Sequence, residues 1–150
     1  IVVLSIPFES LQRIVEEIKP ALDPGKIILS VIVPLKFSKE GVQYAPPPSG
    51  SAAEEVARLL PKARVVSAFH TVGAKQLQHL CSVPCDVVIC GDDQEAKQRV
   101  IELINHIPGM RPIDGGPLKN SRLVESTVAL LIELTRRHRV AGVSIRFEGL

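Results

Sequence analysis

Short apolar runs rich in β-branched residues alternate along this chain with amphipathic segments of helical length. Near-continuous apolar strands separated by helices are typical of a parallel sheet that helices cover on both faces. The runs occupy residues 1–6, 27–33, 64–69 and 86–90, with a weaker fifth run at residues 143–147. The helical patterns occupy residues 8–22, 51–60, 74–80 and 93–107. We therefore predict an α/β fold with a parallel sheet and helices on both faces.

A segment rich in turn residues separates the second apolar run from the next helical pattern. Residues 37–50 contain Pro46, Pro47 and Pro48 in a row and two of the ten glycines, so we predict a surface loop or flap there. Ser51 and Glu54 fit a capping box, which predicts that a helix begins directly after Ser51.

The residues that follow each apolar run are candidates for a binding site. In an open α/β sheet, ligands bind outside the carboxyl ends of the strands. The segments at these ends are Ser5-Ile6-Pro7, Val33-Pro34-Leu35, His70-Thr71-Val72-Gly73, Gly91-Asp92-Asp93 and Gly115-Gly116. They are mostly small or aliphatic and contain no set of carboxylate, histidine and nucleophile, so they suit a planar ring held by packing better than hydrolysis. The one histidine, His70, either pairs with a backbone carbonyl or contacts a ligand.

The glycine pair leads into a long helix that carries an arginine in its first turn. Gly115-Gly116 and Pro117 predict a sharp turn, and the helical pattern then begins at Asn120 or Ser121. Arg122 and Ser126 lie one turn apart and point the same way. Because the helix dipole disfavours a cation at this end, Arg122 needs a partner, which is either Glu125 or an anionic or carbonyl-bearing ligand.

The apolar positions of the same helix cover a wider arc than a surface helix needs. They are Leu123, Val124, Val128, Leu130, Leu131, Ile132 and Leu134. Such a helix is either deeply buried or shared with a second subunit, so we expect a homo-oligomer through the helix at residues 121–134.

Metal-ligand patterns are weak in this chain. Cys81, Cys85 and His79 have neither the commonest cysteine spacing nor a second pair, so we interpret them as ordinary small apolar residues and a loop histidine. Asp92 and Asp93 could bind magnesium, but an aspartate that precedes a helix is more often a cap. His106 and His138 lie at predicted helix ends and are assigned no role.

Composition excludes several classes of function. A chain of 150 residues holds one domain, and no apolar run approaches the length of a membrane span. A net charge of +2 and 3% aromatic residues argue against nucleic-acid binding. Three cysteines, an odd number, favour a reducing, cytoplasmic location.

The chain opens on an apolar strand pattern rather than on methionine, and it contains no G-x-G-x-x-G or phosphate-binding loop. We therefore expect residues 1–150 to be the later part of a single Rossmann-like domain, with the first βαβ unit and its glycine fingerprint upstream. The alternative is a sheet that never bound a dinucleotide.

Several blocks of the chain form an ordered set. They are Leu4-Ser5-Ile6-Pro7-Phe8-Glu9, Ser51-Ala52-Ala53-Glu54, Val65-Val66-Ser67-Ala68-Phe69-His70-Thr71, Cys90-Gly91-Asp92-Asp93, Met110-Arg111-Pro112-Ile113-Asp114, Gly116-Pro117-Leu118 and Asn120-Ser121-Arg122-Leu123-Val124-Glu125-Ser126. In this order the blocks resemble the NADPH-dependent reductases of the deazaflavin coenzyme F420. The resemblance covers almost the whole chain. It implies hydride transfer between NADP(H) and coenzyme F420, a step for which the protein needs to supply no acid or base.

The resemblance also implies which residues contact each cofactor. Ser5, Ile6 and Pro7 would contact the NADP ribose and nicotinamide, with Val33, Pro34 and Leu35 beside them. His70, Thr71, Val72 and Ala74 would lie where the two rings meet. Arg122 and Ser126 would hold the deazaflavin, and Val143 would close the pocket. Two alternatives remain open: a related flavin-using metalloreductase domain, and a non-catalytic ligand-binding or dimerisation module.

Overall fold

The computed structural model describes residues 1–74, 77 and 84–150. A five-stranded sheet has the order β1-β2-β5-β6-β7, and a separate hairpin pairs β3 with β4. The strands are β1 (Val2–Leu4), β2 (Ile27–Ser30), β3 (Leu35–Ser38), β4 (Gly41–Tyr44), β5 (Arg64–Ser67), β6 (Cys85–Gly91) and β7 (Met110–Asp114). The helices are α1 (Leu11–Ile18), α2 (Ala52–Leu59), α3 (Gln94–Asn105) and α4 (Ser121–His138), with 3-10 turns at Phe8–Ser10, Lys19–Ala21 and Leu118–Asn120.

Alternate residues of the central strands supply two apolar cores, one on each face of the sheet. Ile28 and Val65 point to the face that α1 and α2 cover. Leu29 and Val66 point to the opposite face, where α3 packs with Val100 and Ile104. This period of two, with helices on both sides, confirms the predicted α/β architecture.

The sheet is mostly parallel, with one antiparallel junction that the apolar runs did not predict. Strands β1, β2 and β5 are parallel, and so are β6 and β7, but β5 pairs with β6 antiparallel through Val66–Gly91 and Ser67–Cys90. Gly91-Asp92-Asp93 therefore runs toward the amino end of β5, where Asp93 lies 3.7 Å from Arg64. Placing that segment at the ligand edge with the other strand ends was wrong.

The last strand is β7 rather than residues 143–147. Residues 143–147 form no strand, although the Asp86 N–H donates to the Ile145 carbonyl at 2.8 Å along the part of β6 that extends beyond β5. Met110–Asp114 was missed as a strand because Pro112 interrupts its apolar pattern. As the outermost strand of the sheet, β7 tolerates that proline.

The predicted flap is in part a β-hairpin. Phe37 to Ser38 and Gly41–Tyr44 belong to the two strands, and the irregular proline segment follows Tyr44. Most of the helical pattern predicted at residues 74–80 lies outside the described residues, and so do His79 and Cys81. In the part of the chain that the structure describes, no helix has both the length and the apolar character that crossing a bilayer requires.

Candidate functional site

An apolar cleft of about 420 Å³ lies at the carboxyl ends of β1, β2 and β5 on the α3 face of the sheet, where Val3, Leu29 and Leu103 also line it. Ser5, His70, Val72 and Ala74, all predicted site residues, are among the residues that line it. Ile6 and Pro7 follow Ser5 on the same connection, where Ile6 is half-buried against the α1–α2 core. The structure thus brings residues from two strand ends, far apart in sequence, to one concave surface.

His70 is a buried polar side chain of this cleft. It is 8% exposed, and neither ring nitrogen has a hydrogen-bond partner among the described residues. Burial lowers the pKa of His70 to about 4, so the ring is neutral at pH 7 and offers one donor and one acceptor. Among those residues, His70 does not pair with a backbone carbonyl, which was the alternative from the sequence.

The backbone before His70 adopts an uncommon conformation. Phe69 has φ of +66°, in the left-handed region that side chains other than glycine seldom adopt. Phe69 follows β5, which ends at Ser67, and Phe69, His70 and Val72 all line the cleft. Strained residues of this kind concentrate at ligand sites.

The segment Val33-Pro34-Leu35 connects the sheet to the β3–β4 hairpin. Pro34 is buried, and Val33 and Leu35 are half-buried. Leu35 pairs with Tyr44 across the hairpin, and the Ala45 N–H donates to the Pro34 carbonyl at 2.9 Å. The hairpin therefore determines where this predicted cofactor-contacting segment lies.

The glycine turn approaches the protein's own strand. Gly116 has φ of +88°, as the sequence predicted. A Cβ on Gly115 would lie 2.6 Å from Val88 Cγ1 and 2.8 Å from Cys90 Sγ, so the close contact that requires glycine is with β6 rather than with a ligand. Polar contacts hold the turn: Asn120 Nδ2 donates to the Gly115 carbonyl at 2.8 Å.

A buried lysine and two exposed aspartates hold the same turn. Lys97, 3% exposed, donates to both carboxylate oxygens of Asp114 at 3.0 Å. Asp114 also accepts from the Gly116 N–H at 2.8 Å, and these contacts lower the pKa of Asp114, the Gly116 N–H most and Lys97 next. Asp92 accepts from the Leu118 N–H at 2.9 Å. These contacts fix the turn that precedes α4 against β6 and α3.

Arg122 pairs with Glu54 of α2, not with Glu125 as the sequence suggested. Its Nη2 donates to Glu54 Oε1, while Ser51 donates to the other oxygen of Glu54 at 2.7 Å. The Arg122 side chain remains 48% exposed, and its guanidinium has donors left for an anion. Ser126 is exposed and donates to the Leu123 carbonyl at 2.8 Å.

Glu125 instead turns into the protein and is fully buried. Its carboxylate accepts from the Ala52 and Ala53 N–H groups at the first turn of α2, at 2.9 and 3.1 Å, and from the Tyr44 hydroxyl at 3.1 Å. Burial raises the pKa of Glu125 to about 7, although these three hydrogen bonds act in the opposite direction. Spacing alone placed Glu125 beside Arg122, so sequence reasoning missed this site.

A second hollow of about 230 Å³ separates the start of α4 from the C-terminal segment. Thr71, Leu123 and Val124 line it together with Ile145 and Phe147. Val143, predicted to close the pocket, is half-buried two residues before Ile145 and does not line this hollow.

An ion pair fastens the C-terminal segment. Asp86, 2% exposed, is bound by Arg111 through two hydrogen bonds of 2.8 and 2.7 Å and accepts from the Phe147 N–H at 2.6 Å. Arg111 also donates to the carbonyls of Phe147 and Leu150, at 2.6 and 2.8 Å. The contacts with Arg111, followed by that with Phe147, hold the pKa of Asp86 below its usual range.

The remaining candidate ligands serve the fold. Asp93 caps α3 by accepting from the Ala96 N–H at 2.7 Å, as predicted, and His106 Nδ1 contacts the Glu102 carbonyl at 2.7 Å. Cys85 and Cys90 are free and buried, and burial raises the pKa of both thiols. Within the described ranges, no group of three or more histidine, cysteine, aspartate or glutamate side chains could hold a metal ion.

The chain matches no family model, but it is similar to individual proteins of known family. The F420-dependent NADP reductase of Methanocaldococcus jannaschii is 40% identical over 153 residues, which cover all of this chain and 68% of that protein. A metalloreductase of Rattus norvegicus is 39% identical over 106 residues, covering 68% of this chain but 20% of that protein.

A solved structure supports the fold. An Arthrobacter protein described as an F420-dependent NADP reductase superposes with a TM-score of 0.88 over 98% of this chain and 69% of its own length, at 23% identity. The chain thus spans about two thirds of the length of the relatives that it matches from end to end. On the identity and coverage of the Methanocaldococcus protein, this chain belongs to the F420-dependent NADP reductase family.

Proposed function

We propose that this chain is the larger part of an oxidoreductase that transfers a hydride between NADP(H) and coenzyme F420. The observation that carries the proposal is 40% identity over the whole chain to an F420-dependent NADP reductase. When bound, the two cofactors supply the redox chemistry, since a hydride passes directly between the nicotinamide and the deazaflavin. The protein must hold the two rings in near-attack geometry and exclude water.

The cleft at the carboxyl edge has the features that such rings need. Its walls include the apolar side chains of Val31, Phe69 and Val72, which suit planar rings. Neutral His70, buried and without a partner, can exchange a hydrogen bond with a carboxamide or a ring carbonyl without adding charge. We assign Ser5, Ile6 and Pro7 to the NADP ribose and nicotinamide, with the segment Val33-Pro34-Leu35 beside them. Thr71, Val72 and Ala74 join His70 at the junction of the rings.

The deazaflavin is assigned to the start of α4. Arg122 is half-exposed, and Glu54 orients it while leaving other donors available for an anionic or carbonyl-bearing group. Ser126 lies one turn further along the same exposed face. Val143, with Ile145 and Phe147 after it, would close this side.

The remaining part of the NADP site is assigned to an upstream βαβ unit that carries the glycine fingerprint. Strand β1 lies at the edge of the sheet with Val3 53% exposed, so it can accept a further strand. The chain covers 68% of the length of the Methanocaldococcus protein, which it matches from end to end. Residues 1–150 would then form the later part of one Rossmann-like domain.

We also propose that the enzyme is a cytoplasmic homo-oligomer that associates through α4. Val128 and Leu131 of this helix are buried, whereas Leu123 and Leu130 are 64% and 60% exposed. Two large apolar side chains seven residues apart, both exposed on one helix, favour burial against a second copy.

The test is a spectrophotometric assay of the complete polypeptide with NADPH and oxidised F420. We expect the absorbance of the oxidised deazaflavin to fall only when both NADPH and the enzyme are present. No change with F420, combined with tighter binding of FAD than of F420 in titrations, would instead favour the metalloreductase-like alternative. Binding of neither flavin-type ligand would favour a non-catalytic module.

A further inference from the structure

The carboxylate of Glu125 joins three elements of the fold. It belongs to α4, accepts two N–H groups from the first turn of α2, and accepts the Tyr44 hydroxyl from β4. Glu125 is fully buried, and the arginine nearest to it in sequence is bound to Glu54 instead. A carboxylate buried without a cation is costly, so these three donors are what make the arrangement tolerable.

Tyr44 transmits this contact to the hairpin. Its backbone pairs with Leu35, and the next residue, Ala45, donates to the Pro34 carbonyl. A second glutamate of α4 repeats the anchor two turns further along: Glu133 Oε1 accepts the Val42 N–H at 2.9 Å. The hairpin is therefore held on α4 at both ends of β4.

The other end of the connection lies in the proposed deazaflavin site. Arg122 is three residues before Glu125, and Ser126 is the next residue. The structure thus links the segment assigned to the nicotinamide side with the helix assigned to the deazaflavin side through one buried hydrogen-bond centre.

We propose that Glu125 is a positioning residue for hydride transfer, acting through Tyr44 to fix the spacing between the Pro34–Leu35 segment and the Arg122–Ser126 face of α4. The inference rests on the proposed function. Hydride transfer needs its reacting carbons about 3–3.5 Å apart, and a displacement of about 1 Å can cost on the order of 100-fold in rate. Loss of the Tyr44–Glu125 contact leaves the Glu133–Val42 anchor in place but frees the Tyr44 end of β4, which pairs with Leu35, to move relative to α4. It removes no group that contacts a cofactor.

The experiment uses the complete enzyme and the variants Tyr44→Phe, Glu125→Gln and the double variant. Gln43→Ala is the matched control, because Gln43 is exposed on the same strand next to Tyr44. Single-turnover deazaflavin reduction at saturating NADPH and F420 reports positioning, titrations report the two dissociation constants, and hydrogen–deuterium exchange of residues 35–44 reports the hairpin. Tyr44→Phe deletes only a hydroxyl, which lies 3.1 Å from Glu125 Oε2 and 3.3 Å from the Gly50 carbonyl. Comparison with the double variant assigns the effect to Glu125, and Tyr44→Phe remains informative even if Glu125→Gln folds poorly.

We expect Tyr44→Phe to lower the single-turnover rate by about 10- to 100-fold, with both dissociation constants changed by less than about threefold. Hairpin exchange should accelerate, the double variant should be no slower than the slower single variant, and Gln43→Ala should match the wild type.

Three results would overturn the inference. The first is faster hairpin exchange with an unchanged single-turnover rate, which would make the contact structural only. The second is a loss of affinity with no loss of rate, and the third is independent effects that multiply in the double variant. A wild-type enzyme that does not reduce F420 would overturn the proposed function and the positioning role with it, while hairpin exchange in Tyr44→Phe would still show whether the contact anchors the hairpin.

Discussion

At the scale of single residues, Arg122 shows how one side chain can serve both the fold and a ligand. One of its nitrogens binds Glu54, and the others remain available on a half-exposed guanidinium. We expect Arg122→Ala to weaken F420 binding by about tenfold or more, because a charge-assisted hydrogen bond is lost, with NADP affinity within about twofold of the wild type. Titration of each cofactor measures this.

The matched control for that variant is Arg58→Ala on α2. Arg58 pairs with Glu55, at 2.6 Å, and is also an exposed arginine in a pair with a glutamate. This control should leave both affinities unchanged. Equal loss of both cofactors in Arg122→Ala would mean that the Arg122–Glu54 pair only supports the fold.

Glu125 makes a separate prediction about stability. Its folded pKa of about 7 lies above the ordinary value of 4.5, so between these pH values the unfolded chain is ionised while the folded one keeps its proton. Stability therefore falls as pH rises through this window, by on the order of 3 kcal/mol from this group, and levels off above it. The slope should be shallower in Glu125→Gln when denaturant midpoints are measured from pH 4.5 to 7.5.

Parallel curves for the wild type and Glu125→Gln would contradict a raised pKa at Glu125.

Substitution of Gly115 tests whether the fold, rather than a cofactor, requires glycine at the turn before α4. A Cβ there would overlap Val88 and Cys90, whereas a Cβ on Gly142 would meet nothing within 4 Å. We expect Gly115→Ala to destabilise the protein by about 1–3 kcal/mol through overpacking, and Gly142→Ala to leave stability almost unchanged. Thermal unfolding with and without F420 measures both. If Gly115→Ala keeps normal stability but no longer binds F420, then the ligand rather than β6 contacts this glycine.

At the scale of elements, the C-terminal segment depends on an ion pair rather than on a strand ladder. Arg111 binds buried Asp86 and the carbonyls of Phe147 and Leu150. Its loss leaves Asp86 buried and uncompensated, so we expect Arg111→Ala to lower Tm by about 5–10 °C and to open residues 143–150 to proteolysis. Because the pKa of Asp86 is lowered, this stabilisation is present at neutral pH and is lost as pH falls through the lowered pKa.

Arg99→Ala removes an exposed helix pair with Glu102 and should change Tm by less than about 1 °C. A C-terminal segment that remains resistant to protease in Arg111→Ala would mean that Ile145 and Phe147 hold it by packing alone.

The elements also show what could be predicted from sequence. Runs such as residues 27–33 were recognisable because their side chains are buried on both faces, and Ser51 marked the start of α2 through a capping contact at 3.1 Å. Strand direction could not be predicted, because an apolar run has the same pattern in parallel and antiparallel pairing. The antiparallel pairing of β5 with β6 therefore left no signal in the sequence. Partners distant in sequence were also hidden: Glu125 lies three residues from Arg122, but its donors come from Ala52, Ala53 and Tyr44.

At the scale of the whole molecule, the reversal between β5 and β6 divides the sheet into two parts. The carboxyl ends of β1, β2 and β5 form the cleft, whereas β6 and β7 run the other way and lead back to the start of α4. Ser121 contacts Ser67 at 2.6 Å, so this helix begins beside the end of β5. The start of α4 therefore lies beside the end of β5 because of strand direction rather than chain order.

The exposed apolar side chains of α4 predict how the protein associates. Leu123 and Leu130 are each at least 60% exposed although they lie on the longest helix described. A stable interface buries about 1,200 Å² or more, so burial of these residues against a second copy should make them important for association. We expect a Leu123→Asp/Leu130→Asp double variant of the complete protein to shift from oligomer to monomer in sedimentation velocity experiments at micromolar concentration. Phe37→Asp, which places the same charge at an exposed apolar position of the hairpin, should leave the assembly unchanged. A wild type that is monomeric at these concentrations, or a double variant that still associates, would show that α4 is not the interface.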